Sequence, residues 1–271
     1  VVRKQAVATC VALHVHSHYS FLDSTLSPAT VVALAKARGL PAVALADPNQ
    51  HGAAEFCALA KQAGIQPIVG AEVTVAGQAL WLYVQNRTGY ANLCRLLSQS
   101  AKRLEGLTDG LLAVSVNDSF AAQFPERFYR AVTDPTQPVR SAFPCVPHLA
   151  VHHAAPGDRW KFDVVQSIRT LTLLKQAHPE KRMGGQVHFH TGRELAQWFS
   201  PELFRHSLEL AERCAFTVEP AKPQFPTFRT PDGSPPHEFL HRLVHEGLRR
   251  RYGDRHGLHQ AQVEEELCII A

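Results

Sequence analysis

From residue 10 to about residue 116 the chain alternates two patterns. Short runs are apolar at every position, as in strands buried on both faces; longer stretches are apolar every three or four residues, as in helices with one buried face. The first run predicts a strand over 10–15. Ser27-Pro28 then opens a helix, an N-cap followed by proline at the first helical position. Val31, Val32, Leu34 and Ala35 give that helix its apolar side, and Gly39 ends it. A strand over 42–46 follows, with a turn at Asp47-Pro48-Asn49-Gln50 and a helix over 52–63 closed by Gly64. A strand over 67–75 turns through Ala76-Gly77 into another over 80–84. A helix over 89–104 and a strand over 111–116 complete the series. This alternation predicts βαβ units and a mostly parallel sheet or barrel, the α/β class, with functional groups at the carboxyl ends of strands.

Farther along the pattern is looser. Phe128 to Val132 reads as a strand between breakers that include Asp134-Pro135 and Gln137-Pro138. A strand over 145–151 ends on His152-His153, and 156–169 reads as a helix. Thr191 and Glu194 form a capping box, and Ser200-Pro201 opens a helix running to about Cys214. Six prolines (220, 223, 226, 231, 235 and 236) make 219–236 a stiff, extended linker. Two helical segments follow, 237–252 and 260–270, with Gly253 and Gly257 between them. The expected division is therefore a barrel domain over 1–218, the linker, and the start of a further region over 237–271. The helical pattern is still running at Ala271, which reads as the boundary of a fragment.

Composition narrows the classes. The 271 residues are 45% hydrophobic, enough for a large core, and the net charge of +4 neither demands nor excludes nucleic acid. No apolar stretch approaches the roughly 20 residues of a membrane span, and no signal peptide is evident. Six scattered cysteines without a CxxC pair read as reduced thiols of a cytoplasmic protein. Histidine is the excess: there are 16.

On a strand, His14 and His16 share a face, and Asp23 follows in the loop behind them. Two imidazoles and a carboxylate suit a divalent metal. Asp47, Glu72 and His152 fall at other strand ends. A second pair, His188 and His190, has no carboxylate at comparable spacing and reads as structural. His237, His241 and His245 line one helix face, read as solvated or docking. Arg249, Arg250, Arg251 and Arg255 complement a helix end. The chain has no glycine-rich phosphate loop and no Asp-x-Asp pair.

The series His14-Val15-His16-Ser17-His18-Tyr19-Ser20, Ala44-Leu45-Ala46-Asp47 and Gly70-Ala71-Glu72-Val73 resembles the PHP (polymerase and histidinol phosphatase) domain. It is most similar to the N-terminal PHP domain of bacterial DNA polymerase III alpha subunits and their error-prone paralogues. Gly89-Tyr90-Ala91-Asn92-Leu93 and Arg251-Tyr252-Gly253 fit that subgroup as well. The resemblance implies a distorted (βα)7 barrel whose histidines and carboxylates hold up to three metals for phosphoester hydrolysis, in some members 3′–5′ exonuclease proofreading. It assigns His14, His16, Asp23, Glu72 and His152 as metal ligands, with Asp47 behind them. Two positions depart from the family pattern: Pro48 stands where a ligand histidine is usual, and Ala150 where an aspartate is usual. The segment that should supply the middle ligands is short. The resemblance thus implies one divalent ion, Zn or Mn, in place of the full cluster. It further implies a scaffold or docking domain of a polymerase III alpha-like or error-prone polymerase supporting DNA replication, with the rest of that chain, DNA and a separate proofreading subunit as partners. An active phosphoesterase and a stand-alone interaction module are the alternatives.

Overall fold

The computed structural model describes residues 10–137, 140–219 and 226–270. Pro138, Pro220, Pro223 and Ala271, which the sequence reading used, lie outside them. The chain divides into two compact units, 1–220 and 221–271.

In the first unit, α1 (Pro28–Ala37) leads to β1 (Ala42–Leu45), and α2 (Ala53–Ala63) to β2 (Gln66–Val75). Then come β3 (Gln78–Val84), α3 (Arg87–Ser98), β4 (Leu111–Ser115), β5 (Phe128–Val132) and β6 (Cys145–Pro147). The helices α4 (Arg159–Thr170), α5 (Gly192–Trp198) and α6 (Pro201–Arg213) follow. The caps sit where the residues place them: Ser27 accepts from Thr30 N, Gly64 is left-handed, and Thr191 and Glu194 form the reciprocal box. Helix α3 ends six residues earlier than its apolar pattern suggested, at Ser98.

The six strands form one curled sheet in the order β1-β2-β3-β4-β5-β6. The β1–β2, β4–β5 and β5–β6 pairs are parallel, whereas β2–β3 and β3–β4 are antiparallel. The antiparallel exception follows from the two-residue turn at Ala76 (φ 49°) and Gly77 (φ 75°), the left-handed pair that a tight hairpin requires.

The expected strand over 10–15 is instead an extended segment held by two isolated bridges, Ala12 to Val43 and Val15 to Val151. It lies between β1 and the residues that follow β6, with Ala46 N donating to Val15 O and His16 N to Val151 O. Regular alternation slips here. Val11 and Leu13 pack inside the curled sheet with Ala44 and Ile68, whereas Val15 packs outside with Val43 and Val69. Beneath the sheet, α6 covers the amino ends of the strands: Ser207 Oγ accepts from Val11 N, and Gln66 donates to Ala211 O. The carboxyl ends remain for the functional groups.

The second unit holds α7 (Pro236–Tyr252), a 3-10 turn (Gly253–His259) and α8 (Gln260–Ile270).

Candidate metal centre

At the carboxyl ends of the strands the structure gathers His14, His16, Asp23, Glu72 and His152 around His16. On one side, His14 Nε2, His16 Nε2 and Glu72 Oε2 form a triangle with edges of 3.0, 2.9 and 3.2 Å. On the other, Asp23 Oδ2 lies 3.6 Å from His16 Nδ1 and 3.6 Å from His152 Nδ1.

The triangle is held from three directions. The hairpin pairs Glu72 directly with Trp81, whose Nε1–H reaches both Glu72 Oε2 (3.1 Å) and His14 Nε2 (3.2 Å). Gly70 pairs with Tyr83, and a Cβ at Gly70 would meet that ring at 2.6 Å. The space lets Tyr83 donate to Leu13 O and accept from His148 Nε2, which stacks His148 against His14 at 4.7 Å. Asp47, fully buried, accepts from Ser17 N, Ser17 Oγ and Ser20 Oγ. Because Ser20 gives its one proton to Asp47, it accepts from His16 Nδ1–H at 3.1 Å. His16 Nε2 is then a lone pair, turned toward a carboxylate oxygen. Asp47 thus acts on the centre through Ser20 and touches none of the three ligand atoms.

Charge states follow from burial and these contacts. Burial pushes the His14 imidazole down to about 4, although the adjacent Glu72 carboxylate pulls it upward. Burial likewise pushes His148 and His152 well below the usual range, with His16 adding to the effect on His152. Burial would raise the Glu72 carboxyl, but the His14 and His16 rings beside it outweigh burial and hold the group well below the usual carboxylate range. Neutral imidazoles beside an ionised carboxylate are the protonation states that a metal ligand set needs.

The triangle fits one ion. Nitrogen and oxygen ligands at about 2.0–2.1 Å from a metal lie about 2.9 Å apart in octahedral and about 3.3 Å apart in tetrahedral geometry. The other side is different, because two cations of the chain already occupy it. Arg182 Nη1 donates to His152 Nε2, and Arg169 Nη1 pairs with Asp23 Oδ1 at 3.1 Å. His152 Nδ1 donates to Asp23 O. Pro48 is exposed and Ala150 half-buried, neither with a donor atom to offer. His51 is also exposed.

Sequence reasoning missed Trp81, His148, Arg169 and Arg182. The two-residue hairpin contained the signal for Trp81, since a turn at residues 76 and 77 sets 72 opposite 81. The reading of the His188/His190 pair also needs correcting. A carboxylate does reach it: Glu194 Oε1 lies 3.5 Å from His188 Nε2, brought there by the turn into α5. In the second unit, His241 and His245 face Glu264 of α8 at 3.7 and 3.1 Å, whereas His237 is not part of that group.

Residues 12–132 match the PHP domain family. An error-prone DNA polymerase of Symbiobacterium thermophilum is 33% identical over 96% of this chain and 30% of its own length. A DNA polymerase III subunit alpha of Halalkalibacterium halodurans is 29% identical over 96% of this chain and 28% of its own. The chain therefore spans under a third of these relatives. Among solved structures, an amidohydrolase from Chromobacterium violaceum overlaps 33% of this chain and 32% of its own at 30% identity, with a TM-score of 0.29, too partial a likeness to bear on function. Residues 12–132 are accordingly a PHP domain, in a chain similar to error-prone DNA polymerase and DNA polymerase III subunit alpha along 96% of its length.

Proposed function

We propose that this chain is the PHP region of a polymerase III alpha-like or error-prone polymerase chain, a distorted (βα)7 barrel serving DNA replication as scaffold and docking domain. Its phosphoesterase centre is reduced to one divalent ion, Zn or Mn, at His14, His16 and Glu72. The observation that carries this reading is the pair of guanidinium groups on Asp23 and His152. Phosphoester cleavage by a metal cluster needs ions that activate water and stabilise the attacking and leaving oxygens together. With Arg169 and Arg182 in place of a second ion, and Pro48 and Ala150 at two ligand positions, that pairing is lost. The ion would supply charge and rigidity to the mouth; His14, His16 and Glu72 hold it, Ser20 orients His16, and Trp81 steadies Glu72.

The partners that follow are the rest of the polymerase chain, DNA in that context, and a separate proofreading subunit, in the cytoplasm. No helix among the described residues is long and apolar enough to cross a membrane. The test is incubation of the purified chain with Mn²⁺ or Zn²⁺ and a 3′-labelled single-stranded oligonucleotide. No nucleotide release beyond that of His14→Ala/His16→Ala is expected. Metal-dependent release that the double substitution abolishes would instead establish a working exonuclease, the reading the intact triangle favours.

A further inference from the structure

A second group of buried imidazoles lies outside the PHP cluster. Residues 187–190 run beside 152 and 153: His152 N donates to Val187 O, Phe189 N donates to His153 O, and His153 bridges to His188. Phe189 enters the hydrophobic core, which leaves His188 and His190 together on the opposite side. Their rings lie 4.1 Å apart, and both residues are at least nine-tenths buried.

The hydrogen bonds leave His190 with one bare nitrogen, and leave His188 Nε2 and one Glu194 oxygen uncommitted. His190 Nε2–H donates to Gln186 O at 3.1 Å, so Nδ1 is the bare nitrogen; it is buried and unpartnered. His188 Nε2 is buried and unpartnered as well. Glu194 spends only one oxygen on its helix: Oε2 accepts from Thr191 N and Oγ1, while Oε1 faces His188. One ligand atom from each of His188, His190 and Glu194 falls within 4.8 Å of the others. Nearby, His153 Nδ1–H donates to Ala155 O, leaving its Nε2 buried and unpartnered too. A cavity of about 310 Å³, lined by His153, Arg159, Gly185, His188 and Glu194 among others, opens on the group.

We propose that His188, His190 and Glu194 bind a divalent transition metal of the zinc class, at a site separate from the His14/His16/Glu72 centre. Two imidazoles and one carboxylate oxygen are a sufficient protein set for zinc, with the fourth position open toward the cavity. The bond from His190 to Gln186 O is the outer contact that fixes a ligand imidazole's tautomer. The capping box does the same for Glu194. The ion would tie the 187–190 segment to the start of α5.

The test uses the metal-stripped 271-residue chain with His14→Ala/His16→Ala, which silences the other centre, titrated with Co²⁺ and read by visible absorption. One equivalent of tetrahedral Co²⁺ is expected, displaced by Zn²⁺. Adding His188→Asn/His190→Asn should abolish the band with the far-ultraviolet dichroism unchanged, and Glu194→Gln, which can still accept at the cap, should weaken binding at least tenfold. No stoichiometric band, or a band untouched by these substitutions, overturns the proposal. If the histidine substitutions unfold the chain, Glu194→Gln alone in the otherwise native sequence decides, and unchanged Co²⁺ affinity at every site overturns it.

Discussion

The two sides of the PHP mouth share His16 yet solve the same electrostatic problem in different ways. On the Glu72 side, two imidazole nitrogens and a carboxylate oxygen converge, and the fixed donor there among the described residues is the Trp81 N–H. On the Asp23 side, Arg169 and Arg182 arrive from elsewhere in the chain and satisfy the carboxylate and the imidazole directly. A guanidinium is permanently charged and offers up to five donors, so it neutralises a ligand set without any ion. On the reading proposed above, a multi-metal site that loses an ion keeps its geometry because the counter-charge becomes covalent.

The largest effect should separate the two sides outright. Replacing His14 and His16 by alanine is expected to weaken Zn²⁺ binding at the mouth at least a hundredfold, about 2.7 kcal/mol or more, whereas His152→Ala should change it less than threefold. Competition with a chelating dye reads both, and equal losses would mean that the ion sits between the two sides. Next in size, Asp23→Asn removes the counter-charge of Arg169 but leaves the guanidinium half-buried. A destabilisation of about 2 kcal/mol is expected by denaturant unfolding, below the 3–5 kcal/mol of a fully buried pair because Arg169 is partly exposed. No loss of stability would mean that the pair is screened by water. Ser20→Ala is the subtlest break. It cuts the link from Asp47 to His16 and should cost the metal about tenfold in affinity, with the unfolding midpoint nearly unchanged.

Much of this arrangement was legible because buried strands and capped helices leave strong local marks. The runs around Val43, Ile68 and Val114 are apolar throughout since both sheet faces are covered, and Ser27, Gly64 and Thr191 punctuate the helices as their chemistry requires. The segment before His14 misled because its apolar run does not show where alternation slips, and that slip reduces a strand to two bridges. His14, His16, Asp23, Glu72 and His152 could be named from motifs. Arg169 and Arg182 could not: one lies in the last turn of α4 and the other in the irregular stretch after it, 146 and 30 residues from their partners. His148 sat in an expected strand, but only the stacking on His14 and the bond to Tyr83 reveal its place beside the centre.

The count of ions at the mouth tests the central claim most directly. Calorimetric titration of Zn²⁺ into the chain carrying His188→Asn/His190→Asn removes the second imidazole group from the count. One equivalent, lost on further substitution of His14 and His16, is the result this account predicts. Two or three equivalents in that background, with the excess lost on His152→Ala, would contradict it, since Asp23 and His152 would then be holding metal and not arginine.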